Sequence, residues 1–160
     1  MIYNENTIQR VYEANIREIQ RQLQNLPVYC GGEPNFPGLA GWIFEQTIQH
    51  CLRRELEEMN LDVEIEEQII SEAANIDLLI GNTAIDVNPG RPFSEEDISK
   101  YVNNQIEAKR RNWSYIFIIL YENDSESTIV DALGKENTIF LQNHNGEWEH
   151  FVNTITDRLK

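Results

Sequence analysis

Basic residues are scarce in this chain. Thirteen Lys and Arg stand against 27 Asp and Glu in 160 residues, a net charge of −14. A field of that sign repels nucleic acid and anionic membranes unless cations or local basic patches intervene. Cysteine is nearly absent: Cys30 and Cys51 are too few for a disulfide framework and lack the spacing of a zinc site. No apolar run is long enough to span a bilayer. The opening MIYNENTIQR has no apolar centre of the kind a secretory leader needs, so the expectation is a cytoplasmic protein with no membrane partner. Neither a Gly-rich phosphate loop nor a nucleophile elbow occurs, and His50, His144 and His150 show no ligand spacing. Repeats, low-complexity tracts and linkers are missing as well.

What is present is an ordinary globular balance, 41% hydrophobic and 25% charged, in a length that suits one domain over residues 1–160. Apolar positions Ile8, Val11, Tyr12, Ile19, Leu23 and Leu26 recur at helical spacing through residues 5–26, up to Pro27. A Gly/Pro-rich loop over 27–38 leads to a second helix over 39–59. The segment 63–71 reads as a strand, and 76–90, IDLLIGNTAIDVNPG, as a hairpin turning at Gly81-Asn82. Ser94 and Asp97 form a capping-box pattern opening a helix to about Arg111. The continuous apolar run 115–121 predicts a buried central strand, 138–142 a shorter one, and Trp148, Phe151, Val152, Ile155 and Leu159 a C-terminal helix. The order α α β β β α β β α predicts an α/β fold, a mixed sheet flanked by helices.

The hairpin concentrates acid. A two-residue loop at Gly81-Asn82 pairs Ile80 with Thr83, Leu79 with Ala84, Leu78 with Ile85, and Asp77 with Asp86. Directly opposed like charges are destabilising, so something must offset the repulsion. Alternation places Ile76, Leu78, Ile80, Ile85 and Val87 on one face, and Asp77, Leu79, Ala84, Asp86 and Asn88 on the other. On the second helix, Ile48, Cys51, Leu52, Leu56 and Met59 form an apolar stripe. Glu45 projects inside that stripe, where no basic residue accompanies it. Glu45, Asp77 and Asp86 could meet around a hard cation such as Mg²⁺ or Mn²⁺, which takes carboxylate oxygens and water and would relieve the repulsion. Each acid taken singly is better explained as solvated; the three together favour a site.

These residues resemble the PD-(D/E)xK nuclease superfamily, which includes restriction endonucleases and Holliday junction resolvases. That family sets a glutamate on a helix before a β-meander, an aspartate on one strand and an acid-x-lysine on the next, followed by a helix and another strand. GWIFEQ supplies Glu45, NID supplies Asp77, and IDVN supplies Asp86 and Asn88; the resemblance covers roughly residues 39–121. It implies a restriction-endonuclease-like fold, a divalent-metal-dependent DNA endonuclease, and a homodimer acting on DNA. Two departures stand out. Asn75-Ile76 occupies the place where a proline often precedes the aspartate, and Asn88 replaces the lysine that positions the attacking water and stabilises charge on the phosphate.

A cation must then come from elsewhere. Lys100 and Lys109 lie on the following helix, nine residues and so roughly 180° apart. Lys109 shares the stripe of Ile98, Tyr101, Val102, Gln105 and Ile106 and is favoured; Arg91 is the reserve. Tyr101, Gln105, Arg91, Arg110 and Arg111 are expected to contact substrate, although a solvated helix end explains the basic run at 109–111 equally well. The alternative reading is a catalytically inactive nuclease fold serving as a binding or assembly subunit, favoured by the missing lysine and the charge of −14.

Overall fold

A computed structural model describes residues 1–24, 36–90, 94–122 and 124–159. Arg91 and Cys30 lie outside the described residues. Among the described residues, five α-helices and five strands follow in chain order: α1 (Glu5–Gln24), α2 (Phe36–Glu58), β1 (Ile65–Ile70), β2 (Asn75–Ile80), β3 (Thr83–Asn88), α3 (Glu95–Arg110), β4 (Ser114–Ile119), α4 (Glu126–Leu133), β5 (Thr138–Phe140) and α5 (Glu147–Leu159). The strands form one mixed sheet in the order β1-β2-β3-β4-β5. β1, β2 and β3 run as an antiparallel meander, while β3, β4 and β5 are parallel. No described helix is long and apolar enough to cross a membrane.

Two apolar layers sandwich the sheet. On one face Leu78, Ile80, Ile85, Val87, Ile116 and Ile118 pack under α1, α2 and α5. The other face sets Leu79, Ala84, Phe117 and Ile119 against Tyr101 and Ala108 of α3 and Ile129 and Leu133 of α4. β4 is buried almost end to end, as its unbroken apolar run predicts. α5 buries Trp148, Phe151, Val152 and Ile155, one face of a 3.6-residue period. α4 is absent from the sequence reading: its eight residues carry only Ile129 and Leu133 as a buried pair, too short a pattern to register as periodic. Met59, expected in the α2 stripe, is 37% exposed just past the end of the helix.

A buried carboxylate ties the N-terminal segment to this frame. Glu55 of α2 accepts hydrogen bonds from the Ile2 and Tyr3 amides and from Trp148 Nε1, at 2.7, 3.4 and 2.9 Å. Glu5 accepts one from the Trp148 amide at 2.9 Å. These donors meet the cost of burying the two acids.

The hairpin register is the one its turn dictates: Ile80 faces Thr83, Leu79 faces Ala84, and Leu78 faces Ile85. Gly81 alone of the turn pair takes a positive φ, +56°, as the first central residue of a type II′ turn does. Past Leu78–Ile85 the regular pairing stops. On the other side of Asp77, Gln68 of β1 has φ +52° and drops out of a β1–β2 ladder that continues on both sides of it. The face assignment changes there too. Ile65 packs in the first layer, but Ile69 and Ile76 pack in the second, so Ile76 lies opposite to its alternation-based placement. A left-handed residue inside a strand breaks the two-residue alternation, and the sheet is opened on both sides of Asp77.

Candidate functional site: an acidic cleft where the hairpin opens

The opened rung is rebuilt by side chains. The Asp77 amide donates to Asp86 Oδ1 at 3.0 Å, and the Val87 amide donates to Asp77 Oδ2 at 2.9 Å. Each carboxylate thus takes an N–H that the ladder would otherwise pair. Asp86, 1% exposed, also accepts from Asn104 Nδ2 at 2.8 Å and from the Tyr115 hydroxyl at 2.6 Å through its Oδ2. Four charge-assisted bonds across the two acids answer the repulsion that their spacing creates.

Electrostatics still favour a retained proton. Burial, then the Asp86 charge, pushes the Asp77 carboxyl up to about 8, with Glu45 adding to the rise and the Val87 amide and Lys100 opposing it. Asp86 is raised chiefly by burial, against the lowering effect of its Tyr115, Asn104 and Asp77-amide bonds. The two groups titrate as a pair.

Glu45 reaches the same cleft from α2. It is 5% exposed, and Gln68 Nε2 donates to both of its oxygens at 2.9 Å. The kink at Gln68 therefore supplies the donor that the apolar stripe lacks. Burial raises the Glu45 carboxyl, and the Glu67 and Asp86 charges add to the effect. The cleft has a volume of about 420 Å³ and is lined by Glu45, Gln68, Asp77, Asn88, Lys100 and Tyr101, with Trp42 at its α2 wall.

The structure brings Glu45, Asp77, Asn88 and Tyr101 to one cleft. The three acids do not close around a common point: among the described residues no group of three or more His, Cys, Asp or Glu could hold a metal ion. Asp86 is engaged by Asn104, Tyr115 and the Asp77 amide, whereas Asp77 Oδ1 accepts no hydrogen bond from the described residues. Asp77 with Glu45 is then the pair that could hold an ion such as Mg²⁺ or Mn²⁺, which is commonly bound by one or two carboxylates together with water. Asp86 positions Asp77. Asn88 is also largely occupied: its Oδ1 accepts from the Gly90 amide at 2.9 Å and its Nδ2 donates to the Tyr101 hydroxyl at 3.0 Å. It braces the cleft wall.

Lys100 lines the acidic cleft, with its Nζ 5.4 Å from the Tyr101 ring centroid, and Lys109 lines a different cavity. The buried face of α3 consists of Tyr101, Asn104, Glu107 and Ala108, while Ile106 is 60% exposed. A stripe drawn through apolar residues omitted Asn104 and turned the helix the wrong way. Asn104 is buried because its amide is satisfied: it accepts from the Asn75 amide at 3.2 Å and donates to Asn75 O at 2.9 Å as well as to Asp86. Gln105 does not reach the cleft; its Nε2 donates to Leu133 O at 2.8 Å and ties α3 to the end of α4. Arg110 and Arg111 both bond Glu107, at 2.5 and 2.9 Å, and Arg111 stacks on Trp113. Arg110, then burial and Arg111, sets the Glu107 carboxyl, whose net shift is down to about 2. These arginines pair with Glu107 at the end of α3 and do not line the acidic cleft. Sequence reasoning missed Asn104, Tyr115 and Gln68; the only available signal was a polar residue, Asn104, one turn from Tyr101.

No protein-family model, curated protein or solved structure matches the chain.

Proposed function

We propose that this chain is a divalent-metal-dependent DNA endonuclease of restriction-endonuclease-like fold. The observation that carries the reading is the presence of Lys100 in one cleft with Asp77 and Glu45. The chain lacks the motif lysine at Asn88, and Lys100 supplies an ammonium at the same cleft from the following helix. Element order supports the fold: a helix bearing Glu45, a three-strand meander bearing Asp77 and Asp86, a helix, and a buried strand. A Mg²⁺ or Mn²⁺ ion held by Asp77 and Glu45 would polarise a scissile phosphate and acidify a bound water. The chain's own residues do the rest. Asp86, fixed by Asn104 and Tyr115, holds the Asp77 main chain, and the Val87 amide orients the Asp77 carboxylate. Lys100 offsets the acids' charge and offers a donor to phosphate oxygen.

The test is incubation of the protein with plasmid, linear and branched DNA in Mg²⁺, Mn²⁺ and EDTA. Cleavage in either metal, abolished by EDTA and by Asp77→Ala, is the expected outcome. Absence of cleavage on all three DNA forms would refute it. The second reading, a noncatalytic nuclease-fold binding or assembly subunit, is favoured by the enclosure of Asp86 among Asn104, Tyr115 and the Asp77 amide. Cleavage of duplex DNA on both strands would imply a homodimer, which sedimentation would measure.

A further inference from the structure

Acids outnumber bases 27 to 13 in this chain, yet one cavity has cations and no acid in its lining. It lies where the C-terminal part of α3 meets the start of β4, with a volume of about 430 Å³. Lys109 from α3 and Arg158 from α5 both line it, together with Ser114, Trp113 and Ile106. Neither cation forms an ion pair with a described residue. The Arg158 guanidinium donates through Nη1 to Thr83 Oγ1 at 3.3 Å, a neutral partner that leaves its charge uncompensated. This contrasts with Arg110 and Arg111 at the end of α3, which share Glu107 as an ion-pair partner.

Lys109 and Arg158, both exposed, give one concavity two positive charges and no acid to answer them. An anion carrying close to two charges complements such a lining. We propose that this cavity is a binding site for a phosphomonoester of nucleotide size. A phosphate monoester carries about −1.5 to −2 at neutral pH, matching Lys109 plus Arg158. The guanidinium presents a planar fork to phosphate oxygens, the lysine adds a point charge, and the Ser114 hydroxyl is a third polar group in the lining. The cavity volume falls in the range of small-molecule sites, about 300–1,000 Å³. The carbon body of the ligand has an apolar wall in Ile106, which is 60% exposed, beside Trp113, whose ring is already covered by Arg111 at 5.0 Å. The site is separate from the acidic cleft: Lys109 stands nine residues along α3 from Lys100, about 13 Å of helix rise.

The experiment is a melting and calorimetric titration of the full chain at constant ionic strength. Its arms are inorganic phosphate, a nucleoside monophosphate, the matching nucleoside, and a short DNA strand with or without a 5′ phosphate. Binding to the native state raises the melting temperature with the logarithm of ligand concentration. The nucleoside monophosphate should produce that rise and the nucleoside should not. Lys109→Gln combined with Arg158→Gln should abolish it, each protein being compared with its own ligand-free melt, and Lys100→Gln should leave it intact. A phosphate-dependent gain with the DNA strand would place the ligand at a strand end; a gain confined to the monophosphate would make it a free nucleotide. No rise with any phosphate compound, an equal rise with sodium chloride of matched ionic strength, or a rise that survives the double substitution would overturn the proposal. Since Lys100→Gln separates the two sites, loss of DNA cleavage and loss of phosphate binding are distinguishable.

Discussion

Asp77 should give this chain the opposite of a protein's usual acid-side instability, and Asp77→Asn should remove that inversion. Asp77 faces Asp86 on β3, Glu45 on α2, and Lys100 and Tyr101 on α3, and its carboxyl is raised from 3.8 to about 8. Between those values the folded chain holds a proton that the unfolded chain has released. Stability therefore falls as pH rises through the window and levels off above the folded value. Each tenfold change in proton affinity is worth about 1.4 kcal/mol, so the ceiling is about 6 kcal/mol. Asp77 keeps partial contact with solvent, and screening brings the working figure to about 3 kcal/mol. Asparagine keeps an oxygen for the Val87 amide, and its new N–H₂ takes the place of Oδ1, which accepts no bond from the described residues. The substitution should thus be near neutral at the acid end and stabilising by about 3 kcal/mol at the alkaline end, roughly 6–12 °C in melting temperature for a chain of this size. Urea denaturation followed by circular dichroism in EDTA, at steps across the window, reads both proteins. Glu107 overlaps only the acid edge of this window, because its titration lies between 4.5 and about 2. Wild-type stability that rises with pH through the window, or an unchanged slope in Asp77→Asn, would refute the reasoning.

Three further outcomes follow from the same geometry. Mg²⁺ or Mn²⁺ needs the ionised carboxylate, so the metal-induced rise in melting temperature should be larger at the alkaline end of the Asp77 window than at the acid end; a pH-independent rise would place the ion elsewhere. Asn104→Ala removes the bonds to Asn75 N–H, Asn75 O and Asp86 and should cost about 2–4 kcal/mol in urea unfolding; a cost below about 1 kcal/mol would show that water replaces the amide. Lys100→Ala should lower DNA cleavage sharply with little change in melting temperature, whereas Lys109→Ala should leave the rate unchanged, and the reverse ranking would restore Lys109 to the acidic cleft.

The parts legible in the sequence were those with short-range causes. Gly81-Asn82 fixed the hairpin register because a two-residue turn leaves no slack, and Ser94 with Asp97 announced a capping box that is present with both of its bonds. Glu45 was legible as an acid within an apolar stripe, and it is buried. The left-handed Gln68 was not legible, since nothing local demands it; its partner, Glu45, is 23 residues away. The turn of α3 was misjudged for a related reason. Apolarity stands in for burial until a polar group such as Asn104 finds all its partners inside, and those partners sit 18 and 29 residues away. The engagement of Asp86 was not legible either, because Tyr115, which donates to it, reads in the sequence as one more apolar residue of a central strand.

The kink at Gln68 also decides how this chain can meet its own copies. β1 is an outer strand of the sheet, and an outer strand offers its unpaired amides and carbonyls as a template for another chain. Here the template is interrupted at Gln68 by a residue at φ +52°, and Glu66 and Glu67 stand exposed beside it. An incoming strand would lose hydrogen bonds at the break and carry its own acids past two more. The distortion that furnishes Glu45 with a donor thereby works against extension of the sheet along this border and leaves strand addition to β5, the short outer strand on the far side.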